Sequence, residues 1–362
     1  MKIAFIISSL GYGGASKMMA FVANSLAQLT SNEIYILVYE NNNIIQTINN
    51  NINLILMEKI HTRKVIRRFQ QLFSVYKHIK IIRPDVLISF LNFPNLYAII
   101  IGNYLKIPVI ISERGDPYQR KGTKDRFFDI IYNWADGAVF QTDMAKEYFN
   151  KKIQSKSVVI PNPVLHNRSN KTYNNSISNH EIIFIGRFEL KQKRQDIMLY
   201  AFAEVLKHYP DARLKFYGTG KDEIRIKELA HTLSIYEKVY FMGYTSNINE
   251  VLLESEVYVL TSDYEGIPNT LIEAMALGMP VITTDCSPGG ARLLVQNNKN
   301  GILVNKGDYK AIANGIVKVF SSPEFKLSIS QNALSITDTY SEDIISSMWI
   351  KYINKIYKKN AN

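Results

Sequence analysis

Short, uninterrupted apolar runs recur along this chain, and between them lie stretches whose apolar residues keep helical spacing. In the first half the runs fall at 2–9, 34–39, 54–57, 86–90, 109–112, 137–142 and 158–160. A strand that is apolar throughout is covered on both faces, whereas a half-exposed strand alternates. Such strands alternating with helices predict a parallel sheet with helices on either side. Pro161-Asn162-Pro163 stops the rhythm, and 166–180 is a polar run rich in Asn and Ser that suits a linker. The rhythm then restarts, with strands expected at 182–185, 214–217, 239–242, 257–260, 281–283 and 301–304. The expected fold class is α/β: two doubly wound Rossmann-like domains, 1–165 and 181–340, facing across a cleft. Residues 341–362 form an apolar-striped helix expected to pack back on the first domain.

Composition sets limits on function. A chain of 362 residues has room for two cores. One cysteine, Cys286, excludes an internal disulfide framework and fits a reducing compartment. The first residues read as a strand rather than a signal peptide. No apolar run reaches the ~20 residues of a spanning helix; the longest, 96–101, is interrupted by Gly102 and Asn103. Most of the +11 net charge lies in the first half, which favours a polyanion, an anionic membrane surface or a phosphorylated partner there.

Three stretches carry chemistry. Gly11-Tyr12-Gly13-Gly14-Ala15-Ser16 follows the first strand and opens a helix. It departs from a dinucleotide fingerprint at Ser16, although Glu40 stands where that fingerprint wants an acid. More simply, its glycines let the backbone approach an anion at a helix N-terminus. In the second half, Gly186 ends a strand, and Arg187, Lys191, Lys193 and Arg194 follow it. A guanidinium and an ammonium in that position suit a diphosphate. The third stretch, 257–294, runs strand, loop, helix, strand, and carries Glu265 in the loop and Glu273 on the helix. Thr270-Leu271-Ile272-Glu273 fits a capping box, so Glu273 has a structural explanation that Glu265 lacks. Either acid could accept sugar hydroxyls, or the two could act as an acid/base pair.

Gly186-Arg187…Lys193, then Glu265-Gly266-Ile267-Pro268-Asn269…Glu273-Ala274…Gly278-Met279-Pro280, resembles the signature of the family-four retaining glycosyltransferases with the GT-B fold. The Gly13-Gly14 loop and Pro161-Asn162-Pro163 match as well, so the resemblance spans nearly the whole chain. It implies that Gly13 and Gly14 face the donor phosphate and that Arg187 and Lys193 hold the diphosphate of a UDP-sugar. It places Glu273 on the ribose, Glu265 with Gly266, Ile267, Pro268 and Asn269 on the donor sugar, and the base near Gly218, Gly243 and Tyr244. The leaving phosphate would assist the acceptor hydroxyl, with retention of configuration and no protein nucleophile. Two departures stand out. The family lysine lies one residue closer to the arginine, which brings Lys191 into competition with Lys193. Arg114, in Ser112-Glu113-Arg114, replaces a histidine common in the family, and an arginine there can face phosphate or acceptor but is no base. No D-x-D motif occurs and the six histidines show no metal spacing, so no metal and no cofactor is expected.

Residues 63–83 interleave Arg63, Lys64, Arg67, Arg68, Lys77, Lys80 and Arg83 with Ile66, Phe69, Leu72, Phe73, Tyr76 and Ile79. The pattern is a basic amphipathic helix, suited to an anionic membrane surface or to packing on its own sheet. No nucleic-acid module is recognisable. The expected function is transfer of an N-acetylhexosamine or hexose from a UDP-sugar to a lipid-linked glycan of bacterial surface polysaccharide, at the cytoplasmic membrane face. The alternatives are a nicotinamide-dependent oxidoreductase using the first glycine loop, and a non-catalytic membrane-associated subunit with the same fold.

Overall fold

The computed structural model describes residues 1–11, 13–41, 44–58, 63–165 and 172–361. Tyr12, His61, His166 and the first part of the 166–180 stretch lie outside them. The chain divides into two compact units: Met1–Asn162 with Asp343–Asn362, and Pro163–Glu342.

Among the described residues the first unit holds seven strands: β1 (Lys2–Ser9), β2 (Glu33–Asn41), β3 (Asn53–Leu56), β4 (Val86–Phe90), β5 (Val109–Ser112), β6 (Gly137–Phe140) and β7 (Ser157–Val159). All pair in parallel, in the order β3-β2-β1-β4-β5-β6-β7. The second unit holds β8 (Glu181–Ile185), β9 (Arg213–Tyr217), β10 (Val239–Gly243), β11 (Val257–Leu260), β12 (Val281–Thr284) and β13 (Ile302–Val304). Their order, β10-β9-β8-β11-β12-β13, repeats the first sheet's without its edge strand β7. Strands β4, β5, β6, β8, β11 and β12 are buried at every residue, as uninterrupted apolar runs require when both faces are covered. In each sheet the strand order reverses beside the first strand, between β1 and β4 and between β8 and β11. Ligands of doubly wound sheets bind outside the carboxyl ends at that point, and the glycine loop after β1 and the Arg/Lys segment after β8 both lie there.

Part of the stretch read as a linker is packed. Tyr173 is buried, its N–H donates to the Leu277 carbonyl at 2.8 Å, and its hydroxyl donates to the Glu256 carbonyl at 3.0 Å. Lys326 and Glu256 form an ion pair at 2.7 Å that is almost wholly withdrawn from water. Lys326 also donates to the Ile177 carbonyl at 2.6 Å, and Glu256 accepts from the His180 N–H at 2.9 Å. A buried charge is tolerable only when so matched. The polar composition of 172–180 therefore caps a buried pair as well as facing solvent.

The final helix, Glu342–Ala361, belongs to the first unit. Trp349 stacks on Phe90 at the end of β4, with ring centroids 5.8 Å apart. The Tyr352 hydroxyl accepts from the Ala138 N–H at 2.9 Å and donates to the Lys156 carbonyl at 2.5 Å. Gly137 leaves room for it: a Cβ there would stand 2.6 Å from that oxygen.

The basic helix runs Lys64–Ile82. Its buried positions are Gln71, Val75, Ile79 and Ile82, spaced at four, four and three. Of the apolar residues expected to form one stripe, Ile79 is in the core, while Ile66, Phe69 and Phe73 are exposed. The helix thus carries two apolar stripes, and packing uses one.

Candidate active site

In the second unit, backbone crowding brings the strand ends together. Gly218 follows β9 at φ 140°, and a Cβ there would stand 2.0 Å from the Gly186 carbonyl oxygen, so only glycine fits. Its N–H donates to the Gly243 carbonyl at 2.7 Å. The carboxyl ends of β8, β9 and β10 are drawn into one rim, with Tyr244 exposed beyond it.

After Gly186 the chain makes a turn of helix, Leu190–Lys193, that ends at Arg194 in the left-handed region (φ 52°). The bend returns Lys193 over Gly186, whose missing side chain leaves the space: a Cβ would touch the Lys193 stem at 3.4 Å. Lys193 Nζ then meets Glu265 Oε1 at 2.5 Å, with both side chains mostly buried. Ser262 Oγ donates to the same carboxylate oxygen at 2.7 Å. Lys191 points to solvent. The cation and acid named from sequence are therefore partners across 72 positions, and geometry favours Lys193 over Lys191.

Arg194 serves the scaffold. Its guanidinium pairs with Asp196 at 3.0 Å and Asp263 at 2.9 Å, which, together with the hydrogen bonds, hold its pKa above the usual range although burial opposes them. Thr261 Oγ1 donates to the Lys193 and Arg194 carbonyls, both at 2.8 Å, and the Asp263 N–H donates to the Gln192 carbonyl at 2.8 Å. These bonds lace the loop after β8 to the loop after β11. Arg187 is different: its side chain is 73% exposed, and its contacts are long, 3.4 Å to Gln192 and 3.8 Å to Glu189. A cation held so loosely keeps its capacity for a ligand.

The loop carrying Glu265, Gly266, Ile267 and Pro268 is fixed from below. Its Glu265 N–H donates to the Ser287 carbonyl at 2.8 Å. Gly290 sits directly under Gly266, and a Cβ at 290 would stand 1.8 Å from the Gly266 oxygen. Helix Asn269–Ala276 follows, with Pro268 at its N-cap. The capping-box expectation fails here. Thr270 lies inside the helix rather than at its cap, and its hydroxyl bonds the Tyr258 hydroxyl at 2.7 Å. Glu273 is thus one turn further in, half-buried, and without the capping duty that explained it. Burial, then the charges of Glu265 and Glu273, push the Tyr258 phenol far above its ordinary value against the Thr270 hydrogen bond, which keeps it a neutral hydrogen-bonding hydroxyl.

The first unit carries its own constellation. Gly13 (φ 138°) caps helix Gly14–Leu29, with nothing within 4 Å of where a Cβ would be. The Ser16 hydroxyl, which broke the dinucleotide pattern, donates to the Ser9 carbonyl at 2.9 Å. Glu40 lies 4.0 Å from Arg67 of the basic helix. Arg114 bonds Asn162 through Nη2, and its guanidinium carbon stands 5.3 Å from the Phe90 ring centroid. Burial pushes it down to about 9, against the pull of Glu113.

Sequence reading passed over the neighbours of Arg114. Glu113 is buried and ion-paired with Arg120, which also reaches Asp129 at 2.5 Å and Asn92 at 3.1 Å. Tyr132 lies 3.4 Å from Glu113, and Asn95 donates to Tyr132 at 3.0 Å. This is a buried polar network at the carboxyl ends of β4 and β5. An acid directly after an apolar strand, with Arg120 seven positions on, was its one sequence signal.

Residues 12–168 match the model of Glycosyltransferase Family 4, and residues 170–335 match Glycosyl transferases group 1. The chain belongs to these glycosyltransferases, and the nicotinamide alternative falls. It is similar to an uncharacterized glycosyltransferase of Haemophilus influenzae, 27% identical over 96% of this chain and 98% of that one. It is also 27% identical, over the full length of both chains, to a Campylobacter jejuni α-1,4-N-acetyl-D-galactosaminyltransferase named for a GalNAc-GalNAc-diNAcBac-PP-undecaprenol substrate. The crystal structure of Anabaena HepE with UDP and glucose has the same fold: TM-score 0.81, 17% identity, covering 98% of this chain and 99% of that one.

Proposed function

We propose that this glycosyltransferase moves a sugar, an N-acetylhexosamine or hexose, from a UDP-sugar to a lipid-linked glycan of bacterial surface polysaccharide. The observation that carries the proposal is the mostly buried Lys193–Glu265 pair, laced into the switch point of the second sheet beside the exposed Arg187. Arg187 and Lys193 take the diphosphate, supplying the positive charge that a divalent ion gives elsewhere, so turnover needs no metal and no cofactor. Glu273 accepts the ribose hydroxyls, and the base lies over Gly218, Gly243 and Tyr244. Glu265 and the amides of 266–269 hold the donor sugar, at a helix N-terminus that favours the anion.

The chemistry follows from what is held. The C1–O bond to the diphosphate lengthens as Arg187 and Lys193 stabilise the charge on the departing oxygen. The acceptor hydroxyl adds to C1 on the face being vacated, and its proton passes to the departing phosphate, so configuration is retained and no protein group is alkylated. In the first unit, Gly13 and Gly14 offer backbone amides to a phosphate, and Arg114 serves phosphate or acceptor. The HepE complex with UDP supports the donor class, and the name of the Campylobacter relative supports the acceptor class. The basic helix Lys64–Ile82 meets the anionic cytoplasmic membrane face where such an acceptor resides; among the described residues no helix is long and apolar enough to cross it.

The test is UDP release with a panel of UDP-sugars and lipid-linked acceptors, with the product mass as readout and chelator in the buffer. Turnover with one donor–acceptor pair, unaffected by chelator, is expected. Absence of UDP binding together with absence of turnover would refute the donor assignment.

A further inference from the structure

We propose that the lipid-docking surface extends over three successive helices and their 3-10 extension, with Trp134 as an anchor, instead of lying along the basic helix alone. The inference deepens the reading above and rests on it for the purpose of docking. Helices Lys64–Ile82, Asn92–Leu105 and Thr123–Ile131 follow β3, β4 and β5 and share one hydrophobic core cluster, so they cover one face of the first sheet. Each buries an inner stripe and leaves large apolar side chains outside: Phe69 and Phe73 on the first, Tyr104 on the second, Phe127 and Ile130 on the third, and Trp134 just beyond it. All six are more than half exposed.

Contacts tie the three helices to one another. Phe73 stacks on Tyr76, and Tyr76 meets Tyr104 edge-on at 5.8 Å. Asn103 donates to the Trp134 carbonyl at 3.2 Å, which ties the second helix to the Trp134 turn. Arg68 lies 3.7 Å over Phe93, and Phe93 meets Phe128 edge-on at 5.4 Å, which ties the first helix to the third. Large apolar side chains left exposed on neighbouring helices over one sheet face mark an interaction site.

Charge names the occupant. Lys77 lies 4.6 Å from the Phe73 ring, Lys124 lies 4.9 Å from the Phe93 ring, and Lys80, Arg83, Lys106 and Arg126 are exposed on the same elements. Aromatic rings with cations beside them suit the boundary between headgroups and acyl chains, where rings sit in the interface and cations meet anionic phosphate. A second copy of this chain would bring like charges together. A nucleic acid would find no use for Ile130 or Ile81. The occupant is an anionic phospholipid bilayer.

The chain carries its own probe. It has two tryptophans, and Trp349 is buried against Phe90, so environment-sensitive changes report mainly on Trp134. The full-length protein is mixed with phosphatidylcholine vesicles, with and without phosphatidylglycerol, and followed by co-sedimentation and tryptophan emission. Expected are sedimentation with phosphatidylglycerol vesicles, weakening with salt, a blue shift, and quenching by acyl-brominated lipid. The triple substitution Phe127→Ser, Ile130→Ser, Trp134→Ser should weaken sedimentation roughly tenfold or more, while UDP affinity and the unfolding temperature stay near wild type. No sedimentation overturns the proposal. So does sedimentation without quenching, or an unchanged triple variant, since either confines docking to the basic helix. Concentration-dependent dimerisation that the triple variant abolishes would overturn it in favour of a second copy. UDP binding with no vesicle binding leaves the donor assignment standing and sinks this one alone.

Discussion

Lys191 and Lys193 sit two positions apart and do different work. Lys193 folds back over Gly186 onto Glu265, whereas Lys191 faces solvent. Lys193→Met should lower UDP affinity and kcat/KM by about two orders of magnitude, the scale of a lost charge-stabilising donor, and Lys191→Met should change either less than about twofold. Calorimetric titration with UDP and a UDP-release assay read both. Glu265→Gln should lose more in kcat/KM than in UDP binding, because its carboxylate is assigned to the sugar. Cys286 supplies a pH-dependent expectation. Burial, then the nearby Glu265 carboxylate, pushes its thiol up to about 12. The folded state holds that proton where the unfolded chain, with an ordinary thiol near 8.5, releases it. Stability from this group is therefore complete below about pH 8.5 and lost as pH climbs toward 12. A disulfide-exchange reagent at pH 8 should leave the native protein unlabelled and label it once urea unfolds it. At this scale the sequence was partly legible: residue types singled out Lys193 and Glu265, which the fold pairs, but Thr270 and Glu273 satisfied a local helix-start pattern that the fold did not use. Which hydroxyl bonds Thr270 depends on Tyr258, twelve residues away, and no local pattern contains that.

Strand runs were the most legible elements, because a strand covered on both faces must be apolar at each position, and nothing else in 4 to 8 residues looks the same. Helix faces were less legible. The Lys64–Ile82 helix has apolar residues all along one side and part of another, and periodicity cannot say which of two stripes meets the sheet. Loop-to-loop contacts were illegible, since they join positions far apart, as Gly266 over Gly290 does. That contact bears on catalysis. Gly290→Ala would drive a methyl group into the Gly266 carbonyl, so the 265–268 loop must lift. Turnover is expected to fall more than tenfold with UDP binding largely kept, and kcat set against UDP Kd separates the two. The Lys326–Glu256 pair is an element-scale clamp between the 172–180 segment and helix Pro323–Ala333. Lys326→Met leaves a buried carboxylate without its partner and should cost about 3–5 kcal/mol in urea unfolding. Adding Glu256→Leu should recover much of it.

The whole molecule is two sheets of one strand order, and the chain passes from the first unit to the second at Asn162–Pro163 and back at Glu342–Asp343. Trp349 fills the end of β4 and Tyr352 bonds β6 and the Lys156 carbonyl, so the last helix is core to the first unit. Trp349→Ala should cost about 3–5 kcal/mol by cavity formation. Melting should show the first unit's transition lowered and the second unit's transition unchanged. The returning helix also orders events during synthesis. The second unit is one unbroken segment and can close its sheet once residue 342 has left the ribosome. The first unit, although its strands are made earliest, stays open over Phe90 and Gly137 until residues 343–361 arrive. A nascent chain stalled before them would hold a finished second unit and an unsealed first unit with apolar surface on view, so the first unit is the part that waits for residues 343–361 and for any chaperone that shields it meanwhile.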